Sequence, residues 1–201
     1  MQVTPIAPQP LLASREYLAS LREVLDRLDT SVVDRITESI WRGYEEGRTL
    51  LTFGNGGSAA LASHFVCDIG KGTAAPGRKR LRAISLTDNA PLVTAWANDT
   101  SYGEIFAEQL RALLQKGDLV LAISGSGNSE NVVRGLQTAR EAGAKTMALT
   151  GFSGGRVKAL ADICLIVPSD NMPHIEDAHL LSAHAIFTAI RRRMMQTNGE
   201  P

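Results

Sequence analysis

Apolar positions along the chain change their period near residue 48. Before it they recur at helical spacing. Tyr17, Leu18, Leu21, Val24, Leu25 and Leu28 form one stripe, and Val32, Val33, Ile36, Ile40, Trp41 and Tyr44 a second. Asp29-Thr30-Ser31 between them offers an N-cap and a short turn, so residues 13–47 read as an antiparallel helix pair. Such a pair packs on its own sheet or serves in an oligomeric bundle, and the bundle is the expectation. From residue 49 short apolar runs take over: TLLTF (49–53), LRAISL (81–86), DLVLAIS (118–124), KTMALT (145–150) and DICLIV (162–167). Helical patterns near 58–70, 101–115, 129–142, 154–160 and 173–195 separate or follow them. Strands alternating with helices imply a parallel sheet covered on both faces, with right-handed crossovers. The expected fold class is therefore α/β, a doubly wound, five-stranded parallel sheet over 48–195, and the strand order taken for it is the flavodoxin-like 2-1-3-4-5. A loose, proline-bearing arm (1–12) precedes the helix pair, and a flexible tail (196–201) ends the chain.

Composition narrows the class of partner. The 21 basic side chains balance the 21 acidic ones, so no net field favours nucleic acid or an anionic membrane. The N-terminus lacks the basic-then-apolar pattern of a signal peptide, and no apolar run approaches the roughly 20 residues of a membrane span. Cys67 and Cys164, both in apolar stretches, make no disulfide framework. The expectation is a cytoplasmic protein with neither a membrane nor a nucleic-acid partner.

Two strands run into polar, glycine-rich turns: GNGGSA (54–59) and SGSGNSEN (124–131). Each precedes a helical pattern, which places free backbone N–H groups and a positive helix end beside the turn. Serine hydroxyls at Ser124, Ser126 and Ser129 add donors, and such a combination suits a phosphate. Gly54, Gly56 and Ala59 also fit a dinucleotide fingerprint, but its acidic partner about 20 residues on is missing, and no nucleotide P-loop motif occurs. In a 2-1-3-4-5 sheet, strands one and three are neighbours whose helices leave to opposite faces, so the two turns would face each other at the switch point. A small phosphorylated molecule is the expected ligand there.

GNGGSAALASHF, AISGSGNSENVV, ALTGFSGG and VPSDNMPHIEDAHLLSAH, in this order from about residue 45 to 190, resemble the SIS (sugar isomerase) domain family, and within it the bacterial phosphoheptose isomerases. The resemblance implies isomerisation of sedoheptulose 7-phosphate to a D-glycero-D-manno-heptose 7-phosphate aldose. It also implies a homotetramer with its site at subunit interfaces and one divalent metal, zinc, per subunit. By the same resemblance Asn55, Gly56, Gly57 and Ser58 form the substrate turn, Asn98 and Asp99 an Asn-Asp pair, and Ser124, Gly125, Ser126 and Ser129 the phosphate loop. The metal group falls on His64, Asp68, Glu176 and His184, with Asp68 and Glu176 also contacting substrate. Asp68 as base and His184 as acid would serve the enediol chemistry. Asp68 stands where the family usually has Glu, and Glu176 where it usually has Gln. The site is thus more anionic and one carboxylate is a methylene shorter. SLTDNAPLVTAWAND (85–99) also resembles a non-catalytic branch, sugar-phosphate-binding or replication-initiator-associating adaptors, which is the alternative function.

Helix geometry sorts the histidines. His64 and Asp68, at i and i+4, share a face. His179 and His184, at i and i+5, diverge by about 140°, so they cannot aim at one point. Glu176 and His184 share a face but stand about 12 Å apart along the axis. The resemblance makes His184 the functional expectation, since it matches the family's position; His179, facing elsewhere, is a packing or hydrogen-bonding residue, and His174 a surface residue at a helix start. Arg78, Lys79, Arg80 and Arg82 read as a solvated loop, and Arg191 to Arg193 complement the helix end.

Overall fold

The computed structural model describes residues 14–196; the expected arm, and the tail beyond residue 196, lie outside them. Five strands, β1 (Thr49–Gly54), β2 (Arg82–Ser85), β3 (Leu119–Ser124), β4 (Lys145–Thr150) and β5 (Ile163–Ile166), form one all-parallel sheet of order β2-β1-β3-β4-β5. Strands β1 and β3 run side by side with Gly54 opposite Ile123, which brings both glycine-rich turns to one edge.

Helices α1 (Ser14–Asp26) and α2 (Thr30–Glu45) come first, with Asp29 capping α2 by accepting from the Ser31 N–H. Helix α3 (Gly57–Cys67) follows β1, α4 (Ala90–Asp99) and α5 (Ile105–Leu113) follow β2, α6 (Glu130–Glu141) follows β3, and α7 (Met172–Met195) ends the fold. On one face of the sheet Ile36 and Ile40 of α2, Phe65 of α3 and Ile186 and Ile190 of α7 are sealed against Leu50, Leu121 and Leu149. On the other, Phe106 and Leu110 of α5 and Leu136 of α6 pack on Phe53, Val120 and Ala148. With apolar cores above and below, the strands read as unbroken apolar runs rather than alternating ones.

Helix α2 packs on its own sheet, its apolar stripe meeting the β1 and β5 side of the core. Two sequence expectations are corrected. The pattern at 154–160 forms only a single 3₁₀ turn, Arg156–Ala159, where Gly154 and Gly155, both at positive φ, leave no room for an α-helical start. Helix α4 was not expected. Asn89 caps it by accepting from Leu92 N–H and Pro91 sits in its first turn, but no residue of it is buried, so it carries no strong stripe. Arg193 does more than offset the α7 dipole: it pairs with Glu38 at 2.8 Å and lies over the Trp41 ring, tying α7 to α2. No described helix is long and apolar enough to cross a membrane.

Candidate active site

Three helix starts meet at the carboxyl edge of the sheet. A cavity of about 170 Å³ is lined by Asn55 and Ser58 from the β1–α3 turn, by Ser124, Gly125, Ser126 and Ser129 from the β3–α6 turn, and by Met172 and Glu176 from α7. Helices α3, α6 and α7 all begin without a side-chain cap from the N-cap residue, although Ser58 and Ala59 N–H donate to the Asn55 and Gly56 carbonyls and Val132 N–H to Asn131 Oδ1. Ser124 Oγ accepts from Gly127 N–H and Ser126 Oγ from Asn128 N–H, both at 3.2 Å. Neither hydroxyl donates to a protein acceptor among the described residues, which leaves both O–H groups for a ligand. Serine O–H donors beside three positive helix ends make a cradle for an anion. The turn owes its shape to close backbone approach. Gly127, at φ +65°, and Gly155, at φ +54°, face one another where a Cβ on Gly127 would stand 2.2 Å from Gly154 O.

A second group lies on α3 and α7. The α3 backbone widens into a π turn, Asp68–Gly72, just where Asp68 leaves the helix; such turns recur at functional sites. The Nε2 atoms of His64 and His184 are 3.0 Å apart, and Asp68 Oδ2 is 3.3 Å from the first and 3.7 Å from the second. All three donor atoms fall within 4.8 Å of one another. In a tetrahedral zinc site with bonds of about 2.0–2.1 Å, neighbouring ligand atoms stand about 3.3 Å apart. Two imidazole nitrogens and a carboxylate oxygen at those separations are therefore a set that a divalent cation fits. Half of each imidazole remains exposed, at 49% and 45%, so the open side leaves space for a ligand oxygen.

A groove of about 320 Å³ between α3 and α7 joins the two groups. Gly57, Ser58, Leu61, His64, Glu176, Asp177, His179 and Leu180 are among its lining residues. Ser58 and Glu176 belong to both the groove and the anion cradle. The SIS domain profile matches residues 16–151. The chain belongs to the SIS domain family. Among its relatives, the phosphoheptose isomerase of Helicobacter pylori is 38% identical over 98% of this chain and all of its own length. The probable phosphoheptose isomerase of Thermoplasma volcanium is 38% identical over 90% of this chain and 91% of its own. The phosphoheptose isomerase of Francisella tularensis superposes with a TM-score of 0.84 at 31% identity, covering 92% of this chain and all of that one.

Within this SIS fold the expected site residues separate into three sets. His64, Asp68 and His184 converge. Asn55, Gly56, Gly57, Ser58, Ser124, Gly125, Ser126 and Ser129 surround the anion cradle or its entrance. Glu176 does not join the histidines as a fourth ligand. Two helical turns of α7 separate it from His184, and its Oε1 would lie 3.0 Å from a Cβ at Gly57, where groove and cradle meet. Asn98 and Asp99 bond one another at 2.8 Å on the exposed end of α4 and line neither cavity.

The remaining histidines are structural. His174 is buried, not a surface residue: helix α1 covers it, with Ser20 Oγ 3.2 Å from its Nε2 and the Tyr17 ring against its own. His179 bonds Thr150 O at 3.0 Å through Nε2, and burial lowers its pKa to about 4, so it is neutral at pH 7. Tyr17 donates to Asp177 at 2.6 Å, and that hydrogen bond, before burial, raises its pKa to about 12. Cys67 is exposed despite its apolar neighbours. Two further residues escaped sequence reasoning. Asn131, buried at the start of α6, and Tyr102, before α5, both bond Asn55. Asn131 ends the quoted serine-rich stretch, whereas nothing near Tyr102 in sequence marks it.

Proposed function

We propose that this chain is a phosphoheptose isomerase, interconverting sedoheptulose 7-phosphate and D-glycero-D-manno-heptose 7-phosphate through an enediol(ate). The similarity to isomerases over nearly the whole chain supports the reaction. The observation that carries it to these residues is the continuity of anion cradle, groove and His–Asp cluster through Ser58, Glu176 and His64. An extended sugar phosphate laid along that path has its phosphate on the serine turn and its carbonyl end at the cluster. The helix starts and serine hydroxyls hold the phosphate and fix the register; Glu176, at the junction, accepts from sugar hydroxyls.

Asp68 takes the proton from the carbon beside the carbonyl, while His184 gives one to the carbonyl oxygen; Asp68 then returns its proton to the neighbouring carbon as His184 takes the hydroxyl proton from the first, which leaves both groups as they began. His64, Asp68 and His184 are the residues that would hold a zinc ion, and the Nε2 of His184 would then be a ligand in place of a proton donor. When bound, such an ion supplies polarisation of the carbonyl and hydroxyl oxygens. The assembly belongs to the same reading: Leu180 of α7 lines the groove and is exposed, as is Leu181 next to it in sequence, and a second subunit there covers them in a homotetramer.

Purified protein with added zinc is expected to convert sedoheptulose 7-phosphate to the aldose. Tight binding without conversion would return the chain to the adaptor branch.

A further inference from the structure

The two glycine-rich turns are joined by a reciprocal amide pair. Asn55 Nδ2 donates to Asn131 Oδ1 at 2.8 Å, and Asn131 Nδ2 donates back to Asn55 Oδ1 at 2.9 Å. Oxygen and nitrogen of an amide are assigned from their partners, and here one partner allows no choice. The backbone N–H of Val132 can only donate, and it lies 2.9 Å from Asn131 Oδ1. That contact fixes Asn131, Asn131 fixes Asn55, and the Tyr102 hydroxyl, 3.1 Å from Asn55 Oδ1, must then be a donor. Asn55 Oδ1 thus accepts twice, whereas Nδ2 has used only one of its two hydrogens. Asn131 is 2% exposed, so its half of the pair is shielded from water.

We propose that Asn131 and Tyr102 are positioning residues that lock the Asn55 amide, so that it offers an N–H and never its carbonyl to the ligand. The matching ligand atom is an acceptor, a phosphate or sugar oxygen in the cradle that Asn55 lines. This rests on the reading of that cradle as the sugar-phosphate site. It adds a selectivity that the serine turn alone lacks, because a ligand group that only donates finds no partner at Asn55.

The alternative role for Asn131 is a plain helix cap for Val132 N–H, and the variants separate the two. Dissociation constants for sedoheptulose 7-phosphate are measured by calorimetry, with turnover alongside, for Asn55→Ala, Asn131→Ala, Asn131→Asp, Tyr102→Phe and each of the last three combined with Asn55→Ala. Positioning predicts about 10-fold weaker binding for Asn131→Ala and a few-fold for Tyr102→Phe, in line with one or two lost hydrogen bonds. Neither change should cost anything further once Asn55 is Ala, and kcat should stay within about threefold in Asn131→Ala and Tyr102→Phe. Asn131→Asp keeps the cap but not the donor to Asn55, so it should remain impaired, and any loss that persists beside Asn55→Ala measures its charge alone. Losses from Asn131→Ala or Tyr102→Phe that add to that of Asn55→Ala, or full recovery in Asn131→Asp, overturn the proposal. Tyr102 is exposed, so its variant reports even if Asn131→Ala does not fold. A wild type that binds the sugar phosphate without converting it refutes the isomerase reading and leaves this inference to the binding cycle; a wild type that does not bind it overturns both.

Discussion

Asp68 and His184 stand 116 positions apart in sequence, and their side-chain atoms stand 3.7 Å apart. Each is exposed enough to be reached by a substrate, and neither has a role in the apolar core. Their substitution is therefore expected to spare the fold while emptying the site. In metal analysis after purification with zinc, wild type should carry close to one ion per chain and Asp68→Ala and His184→Ala should lose it. A wild type without stoichiometric metal would remove zinc from the proposed site. His64→Ala should behave as these two do, whereas Glu176→Gln should keep the ion, since Glu176 stands apart at the mouth of the cradle.

At the level of elements, the site is three helix starts and two turns held by backbone contact. The β3–α6 turn leans on the β4–β5 loop: Val157 N–H donates to Gly127 O, and Arg156 N–H to Asn128 Oδ1. Gly127→Ala would force a Cβ against Gly154 O at a positive φ, which costs at least about 1 kcal/mol in conformation alone. It is expected to lower the melting temperature and to weaken inorganic phosphate binding in calorimetry by more than 10-fold. Helix α2 gives the contrasting case. Ile40→Ala, at a sealed core position, should cost about 2–5 kcal/mol in urea unfolding and leave KM unchanged.

For the whole molecule, buried His179 links stability to pH. Its folded pKa of about 4 lies below the ordinary 6.5, so between these values the unfolded chain binds a proton that the folded chain refuses. Stability is then complete above pH 6.5 and falls as the pH drops toward 4, by about 1.4 kcal/mol per unit and roughly 3 kcal/mol in all. Gln in place of His179 can still donate to Thr150 O but does not titrate. Urea unfolding at pH 7 and pH 4.5 should show a smaller decline for His179→Gln than for wild type; equal declines would rule the linkage out.

Much of the architecture followed from local pattern. The five strands, their parallel class and the two phosphate-suited turns were legible because β-runs and Gly/Ser turns are set by residues close in sequence. So was the divergence of His179 from His184, a property of one helix alone. Tertiary packing decided the rest. Helix α4 has no buried residue to announce it, and His174 looks like a helix-start surface residue until α1 lies over it. Asn131 and Tyr102 reach Asn55 only because the sheet order places β1 beside β3. The ligand set shows the division most sharply. Sequence spacing could warn that Glu176 and His184 stand too far apart along α7, but only the packing of α3 against α7 could bring His64 and Asp68 to His184.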